Sequence, residues 1–311
     1  MTPEPRTCYI HGLTRKAIRL ETPLRRFARN GLSVSTIADQ FWCEKRVELS
    51  FSYPLPMTVE MTIGKARHDE LHREIAELIP VQAASIADAV GVRFHNMLTG
   101  LTHLVHKRQA REVPVIGMSP YLPVPIFGQI DELLVRERQT KIIDHKTRKS
   151  NKMPSVAQTR VSEFQLMTYY MLLKQFRSRT TDLDEVLRFY GLKENSMFSD
   201  ELLKQLGPHG GPVQTNIVRL AEMAVRSATA IPEPSTELEI VYETQDTQRL
   251  IGSHRFEFSK DDWKEDLDFA AQYWLGKRPA KPVGEKNRWK CDYCPFKKQS
   301  ICSVWSGCGE Y

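Results

Sequence analysis

The 311-residue sequence lacks any apolar run that approaches the length of a membrane span, and its start lacks a secretory signal pattern. It also has no internal repeat, no low-complexity segment and only six cysteines. We therefore expect an intracellular protein that makes no use of a membrane. Because disulfide frameworks belong to secreted chains, six cysteines in a chain of this length favour metal binding in a reducing compartment.

Acidic residues are scarce in three stretches, although the whole chain carries a formal charge of only +6. Residues 145–162 contain no acid, and residues 277–298 contain eight lysines and arginines against two acids. Residues 1–31 contain seven arginines and lysines against two acids and form a basic N-terminal segment. Such clusters are either solvated faces or contacts for nucleic acid, and the Arg-rich start leaves mitochondrial targeting open.

Hydrophobic periodicity divides the chain into early helices, a central group of short β-branched strands and a mixed remainder. Ser35 is predicted to cap the first helix. Helices are predicted over residues 35–49, 64–78, 82–108, 156–173, 216–229 and 261–275. Strands are predicted over residues 113–117, 126–135, 141–147, 186–192, 237–243 and 254–258, with a loop over 193–214. This order predicts an α/β fold.

Three residues of the central strands have the types and the spacing of a hydrolytic metal site. Asp131 ends one predicted strand, while Asp144 and Lys146 lie two residues apart in the next and point to the same side. Two carboxylates from adjacent strands suit Mg²⁺ or Mn²⁺, and a nearby ammonium can orient water and offset charge on a phosphate. A surface hairpin with an Asp–Lys salt bridge is the simpler alternative for this spacing alone.

Several motifs occur in an order that resembles the PD-(D/E)XK nucleases of the RecB-like clan and, more narrowly, the exonuclease V family. The first four are GKARH at residues 64–68, GQIDEL at 128–133, IIDHKTR at 142–148 and QLMTY at 165–169. The similarity continues through LSVSTIADQFWCE at 32–44, REVPVIG at 111–117, YWLGKR at 273–278 and WKC at 289–291. It covers nearly the whole chain.

This resemblance implies a fold and a domain organisation. The fold would be α/β, with a restriction-endonuclease-like PD-(D/E)XK core in which helices flank a central mixed sheet. A helical N-terminal part and a cysteine-ligated C-terminal cap would complete it. One nuclease domain would occupy residues 32–311 after the basic segment, with its core over about 109–276. Cys43 and the tail over 289–311 would form an iron–sulfur staple.

The resemblance also implies a metal site and a catalytic lysine. The ligands of a Mg²⁺ or Mn²⁺ ion would be His68, Asp131 and Asp144, and Lys146 would be the catalytic lysine. Relatives often carry glutamate where this chain has Asp144, and either carboxylate can bind the metal. A core histidine is the alternative interpretation of His68, and His72 is its nearest rival as ligand.

The residues expected to act on the DNA follow the same motifs. Gln165 and Tyr169 lie one helical turn apart, and the resemblance counts them among the catalytic residues that steady the DNA backbone and the lysine region. DNA contacts are expected from Arg148, Lys149 and Tyr169.

The cysteines form a split set. Cys291 and Cys294 make a two-point clamp, Cys302 adds a third thiolate, and Cys43 would be the fourth. Spacing alone fits either zinc or a [4Fe–4S] cluster, whereas the resemblance implies the cluster. The family usually has about five residues where seven separate Cys294 from Cys302, so Cys308 is the alternative ligand.

We therefore expect a Mg²⁺-dependent exodeoxyribonuclease that degrades single-stranded DNA from the 5′ end in DNA repair or genome maintenance. It would act as a monomer, with a single-strand-binding protein as a candidate partner. The expected compartment is the nucleus, with the mitochondrion as the alternative. The sequence is also compatible with two other functions: a non-catalytic single-strand DNA-binding adaptor, and a clan nuclease that acts on double-stranded ends within a complex.

Overall fold

The computed structural model describes residues 21–55, 57–209 and 211–304. The strands are β1 (Leu32–Ser33), β2 (Gln109–Met118), β3 (Pro125–Arg136), β4 (Gln139–Arg148), β5 (Glu237–Thr244) and β6 (Leu250–Glu257). The helices are α1 (Pro23–Phe27), α2 (Val34–Ala38), α3 (Gln40–Ser50), α4 (Val59–Arg73), α5 (Ile86–Lys107), α6 (Val156–Arg177), α7 (Leu183–Phe189), α8 (Asp200–Leu206), α9 (Ile217–Ala228), α10 (Lys260–Trp274) and α11 (Pro295–Lys298). Residues 1–20 of the predicted basic segment and Cys308 lie outside the described residues.

The six strands form one mixed sheet, and β3 is its longest strand and pairs with three others. Antiparallel β2 pairs along one edge of β3. On the other edge, parallel β1 pairs with the start of β3 and antiparallel β4 pairs with its end. β5 then adds parallel to β4, and β6 adds antiparallel to β5. The α/β class with a central mixed sheet flanked by helices is thereby confirmed.

The pairing between β3 and β4 stops at a place that matters for function. The last paired residues are Glu132 and Ile143, so Asp131 and Asp144 are the first residues beyond the ladder on their strands. Asp144 stays in the sheet because it pairs with Ile240 of β5. The two strands therefore diverge where the two predicted carboxylates lie.

The helices differ in how they attach to the sheet. Helix α9 buries a complete apolar face, whereas Leu71 is the one buried residue of α4. Since buried apolar area supplies most of the packing energy, α4 depends on polar contacts instead. In the described part of the chain, no helix is long and apolar enough to cross a membrane.

Most predicted elements are confirmed within a few residues, and two are wrong. The predicted strand over 186–192 is the C-terminal part of α7 and its exit, because Asp182 caps that helix by accepting from Glu185 N at 2.8 Å. The predicted loop over 193–214 contains α8, which Ser199 caps. In both cases an N-cap followed by two acids signals a helix start, which outweighs the short apolar run.

The first predicted helix is also divided. Ser33, not Ser35, is the N-cap, since its hydroxyl accepts from Thr36 N at 3.0 Å. The chain then turns at Asp39 into α3, and the extended backbone of Cys43 interrupts α3.

Candidate active site and thiolate site

The strand half of the candidate active site consists of Asp131, Asp144 and Lys146. Asp131 Oδ2 accepts a 2.8 Å hydrogen bond from His145 N, so this carboxylate bridges the gap between the diverging strands. Lys146 Nζ donates to Asp144 Oδ1 at 2.7 Å. Asp144 is 1% exposed, and its Oδ2 is buried without a hydrogen-bond partner among the described residues.

Burial sets the electrostatics of this pair. Burial raises the pKa of Asp144, the neighbouring Asp131 adds to that effect, and Lys146 opposes it. For Lys146, burial acts to lower the pKa, but Asp144 and Asp131 outweigh it and hold the pKa above its ordinary value. The ammonium is therefore a fixed positive charge beside a carboxylate that has one free oxygen.

The helix half is His68 of α4, which the structure brings to these strands. His68 Nδ1 donates to Glu112 Oε1 at 2.8 Å and lies 3.8 Å from Asp131 Oδ1. Its Nε2 lies 3.2 Å from the His145 carbonyl oxygen. The bond to Glu112 raises the pKa of His68 to about 9, against the opposing effect of burial. Of the two histidines weighed as ligands, His68 is the one that reaches Asp131.

Glu112 is the site residue that the sequence argument missed. Its ligand oxygen, His68 and Asp131 form a group whose candidate ligand atoms all lie within 4.8 Å of one another. Glu112 lies between two residues of β2 that pair with β3, Arg111 and Val113, but is not itself paired. Its φ of +53° is left-handed, which is rare for a residue other than glycine. The REVPVIG motif contained this residue, but the predicted strand began one position after it.

Polar contacts hold α4 over the strands. Arg67 Nε donates to Glu243 Oε2 of β5 at 3.0 Å, and Gln245 Nε2 donates to the Glu60 carbonyl at 3.1 Å. Gly64 faces Thr147 of β4, since a Cβ at Gly64 would lie 3.4 Å from Thr147 Oγ1. These contacts fix the position of His68 one residue from Arg67.

Gln165 and Tyr169 buttress the site from α6. Gln165 Nε2 donates to the Tyr169 hydroxyl at 2.9 Å, and burial raises the pKa of Tyr169, which keeps the phenol neutral. The tyrosine ring passes directly over Gly128, where any Cβ would lie 2.5 Å from Tyr169 Cε1. Glycine is therefore required at position 128 because the Tyr169 ring lies so close to the backbone. Tyr169 is 4% exposed, and its phenol lies close enough to Asp131, Asp144 and Lys146 for their charges to act on it.

The remaining predicted DNA contacts lie at the end of β4. Lys149 is largely exposed and forms an ion pair with Glu60 of α4. Arg148 Nε is buried without a hydrogen-bond partner in the described part of the chain. Lys149 is therefore the one of the two that contacts α4. We call His68, Glu112, Asp131, Asp144 and Lys146 the carboxylate site.

Four cysteines form the second candidate centre, which we call the thiolate site. Cys43, Cys291, Cys294 and Cys302 are free thiols that line one small cavity of about 20 Å³. Burial raises the pKa of Cys43, although the backbone N–H groups of Arg46, Val283 and Lys45 donate towards its sulfur and oppose that rise. Such N–H donors are typical neighbours of metal-bound thiolates. The structure thus brings Cys302 to the other three.

Aromatic and basic side chains enclose the thiolate site. Trp42 packs edge-on against Trp289 at 5.6 Å between ring centroids, and the Lys290 ammonium lies 4.7 Å from the Trp42 centroid. Phe296, between Cys294 and Cys302 in the chain, is 1% exposed, whereas Tyr293 is 73% exposed. Trp42 and Trp289 are half-buried, so Tyr293 is the most exposed of these aromatic residues.

A second set of contacts joins the same two ends of the chain. The Glu44 carboxylate accepts from both terminal nitrogens of Arg278, at 2.5 and 2.7 Å, and from Lys281 N at 2.8 Å. Trp274 Nε1 donates to Gln40 Oε1 at 2.8 Å. The thiolate site is thus reinforced by a buried ion pair that needs no metal.

Comparison with known proteins adds an independent line of information. A family model described as "Exonuclease V - a 5' deoxyribonuclease" matches residues 22–142, 134–219 and 212–305. A Danio rerio protein named Exonuclease V is 28% identical over 305 residues, which cover 94% of this chain and 75% of that protein. A solved structure described as "Crystal structure of SSO0001" aligns with a TM-score of 0.43 and 14% sequence identity, covering 88% of this chain and 86% of that chain.

Proposed function

Because the chain belongs to the exonuclease V family and is a nuclease that acts on DNA, we propose that it hydrolyses single-stranded DNA from the 5′ end. The proposal includes a PD-(D/E)XK type of core, dependence on Mg²⁺ or Mn²⁺, and a role in DNA repair or genome maintenance. The description of the matching family model supports the 5′ direction, and the acid-free stretch after Asp144 supports a DNA backbone as ligand.

One observation carries the catalytic part of the proposal. The Asp144 carboxylate has one oxygen on Lys146 and the other buried without a partner among the described residues, beside Asp131. A buried carboxylate oxygen is unfavourable unless something binds it, and a divalent cation satisfies it. The oxygen-rich donor set with one imidazole fits Mg²⁺ or Mn²⁺.

The residues divide the work of hydrolysis. His68, after release of one proton, would hold the metal ion together with Glu112, Asp131 and Asp144. When bound, the ion supplies polarisation of the scissile phosphate and activation of the attacking water. Lys146 donates hydrogen bonds to oxygen atoms on which negative charge develops. Gln165 and the neutral Tyr169 hydroxyl, which are hydrogen-bonded to each other, would hold Lys146 and the phosphate in position.

For the thiolate site we propose a [4Fe–4S] cluster on Cys43, Cys291, Cys294 and Cys302. The single cavity that all four thiols line and the N–H groups directed at Cys43 support it. Its role would be to clamp α3 and the C-terminal tail together, not redox catalysis. Broad visible absorption of freshly purified protein, with iron and sulfide analysis, distinguishes a cluster from zinc.

The cellular setting is proposed from the substrate. Single-stranded DNA arises during repair in the nucleus, which is the proposed compartment. The mitochondrion, which has its own DNA, is the alternative compartment. We expect a monomer, with a single-strand-binding protein as a candidate partner. Fractionation of cells that express the tagged full chain, followed by size-exclusion chromatography of the purified protein, tests these points.

The decisive experiment combines substrate geometry with Asp144→Asn. Single-stranded and double-stranded oligonucleotides, each with the 5′ or the 3′ end blocked, are incubated with Mg²⁺ and the full chain. We expect degradation of single strands that a 5′ block prevents, and a loss of at least about 10³-fold in Asp144→Asn because the substitution removes a metal-binding charge.

The controls address the other two functions. Wild-type protein that binds single strands without degrading them would establish the adaptor instead. Preference for double-stranded ends would establish the other clan activity. Degradation that survives Asp144→Asn at the wild-type rate would remove the catalytic assignment altogether.

A further inference from the structure

A second cavity adjoins the carboxylate site, and none of the roles assigned above explains it. Its volume is about 380 Å³, within the size range of small-molecule sites. Helix α5, the start of β2, and residues 75–81 after α4 enclose it. Glu112 belongs both to this cavity and to the carboxylate site, so the two spaces share a wall.

The charges around the cavity determine which part of a nucleotide it could take. Its described lining includes Asp69, Glu77 and Glu112, against the single cation Arg111. Arg111 lies 3.5 Å from Glu132 and Glu112 lies 2.8 Å from His68, so both of these charges are offset and Asp69 and Glu77 are left to set the sign of the lining. A phosphate would be repelled from such a lining, so the phosphate of a bound nucleotide stays at the carboxylate site. The acidic lining of the cavity therefore suits an uncharged group.

Three histidines line the cavity and give it hydrogen-bonding groups. Burial lowers the pKa of His72 and of His95. The third, His103, has its Nδ1 2.8 Å from the Gln109 carbonyl, which can only accept, so Nδ1 is the donor. Flat imidazoles that donate and accept match the edges of a nucleobase.

Apolar walls complete the complementarity. Ile75 and Ile79 close one side of the cavity, and the ring of Phe198 lies on another. Bases bind by stacking on apolar and aromatic faces while their edges form hydrogen bonds. We propose that this cavity receives the base and sugar of the nucleotide adjoining the scissile phosphate. This inference rests on the proposed nuclease function, because that function places a phosphate at the carboxylate site.

The cleavage experiment uses a series of single-stranded oligonucleotides, each with one abasic residue at a defined position from the 5′ end. We expect kcat/KM of the wild type to fall about tenfold for one abasic position and to change little for the others, since one base contact is lost. In Thr99→Trp, which fills the cavity from the exposed face of α5, abasic and normal substrates should be cleaved at the same reduced rate.

Thr102→Trp is the matched control. Thr102 is another exposed threonine of α5 but does not line the cavity, so this variant should keep the tenfold discrimination. Asn96→Phe fills the cavity from a different position and guards against a folding defect in Thr99→Trp. Uniform cleavage of the abasic series by the wild type, or full discrimination in both cavity variants, would overturn the proposal.

A binding arm separates this proposal from the nuclease function. Equilibrium dialysis of the full chain without added metal measures binding of labelled deoxyadenosine and thymidine, with deoxyribose 5-phosphate as the probe that lacks a base. We expect the nucleosides to bind the wild type and Thr102→Trp at least tenfold more tightly than Thr99→Trp, and the sugar phosphate not to discriminate.

Equal nucleoside affinity in wild type and Thr99→Trp would refute the cavity site even if the chain degrades DNA. Nucleoside binding lost in Thr99→Trp, in a chain that hydrolyses no oligonucleotide, would instead refute the nuclease function and keep the cavity as a site for free nucleosides.

Discussion

The carboxylate site and the thiolate site are built in opposite ways. The three strand residues of the carboxylate site lie within one hairpin, on strands whose ladder ends beside them. The thiolate site takes Cys43 from an interrupted helix and three cysteines from the C-terminal tail, where regular structure is short. One site is a set of charged side chains on one sheet, and the other is a set of free thiols from the two ends of the chain.

This contrast has a thermodynamic meaning. In the carboxylate site, like charges are gathered on the sheet, which stabilises a bound cation at the expense of the empty fold. In the thiolate site, bound metal would join segments that have little other secondary structure, so its binding energy contributes to folding. Mutations should therefore separate activity from stability between the two sites.

The largest effect on activity is expected for Asp131→Asn. The asparagine oxygen can still accept from His145 N, and one negative charge beside Asp144 disappears. We expect kcat/KM for DNA to fall at least about 10³-fold while the thermal midpoint stays the same or rises. Paired nuclease assays and calorimetry measure both quantities. A large fall in the thermal midpoint would contradict the expectation that changes in the carboxylate site affect activity and not stability.

Next comes Cys294→Ser, for which stability should fall first. Loss of one thiolate should release the bound metal and lower the unfolding free energy by at least about 2 kcal/mol, or roughly 4 °C in thermal midpoint. The Glu44–Arg278 pair should keep the chain ends together, so the protein should still fold. Metal analysis and thermal unfolding test this, and full metal content in the variant would contradict it.

The same measurement sharpens the ligand set. Because Cys302 lines the cavity with the other three thiols, Cys302→Ser should behave like Cys294→Ser. Cys308→Ser should keep its metal, and the reverse outcome would assign the fourth ligand to Cys308.

A smaller effect on both quantities is expected for Gly128→Ala. The added methyl group would meet Tyr169 Cε1 at 2.5 Å, so the ring must move. We expect a loss of about 1–3 kcal/mol in stability, as for other overpacked positions, and about tenfold in kcat. Gly207→Ala is the matched control, since among the described residues no atom outside its chain neighbours and its own helix backbone lies within 4 Å of the added Cβ. Equal effects in the two variants would exclude the close approach as the cause.

The smallest effect on stability is expected for Arg67→Ala. Its bond to Glu243 holds α4, which has one buried residue, so the thermal midpoint should change by less than about 2 °C. His68 should nevertheless become less well positioned, and the affinity for Mn²⁺ should fall about tenfold. Titration of metal-dependent activity measures this. Arg73→Ala, an exposed change on the same helix, should leave that affinity unaltered.

The elements that were predicted correctly are those whose formation depends on residues close together in the sequence. Strands β2 to β4 and helices α5, α6 and α10 follow from alternation and helical periodicity over neighbouring residues. Helix α7 was missed because its apolar run is as short as a strand, and its N-cap is the signal that distinguishes it. Glu112 was missed because a left-handed residue inside a strand has no sequence signature.

By itself, the sequence determined which residues can act together within one hairpin or one turn. Asp144 and Lys146 share a side because side chains alternate along a strand, and Cys291 and Cys294 share a turn. Tertiary structure alone decided that Glu112 joins His68, that Gly128 lies under Tyr169, and that a cavity opens beside them. Those outcomes depend on how separate elements pack, and packing is set by many weak contacts at once.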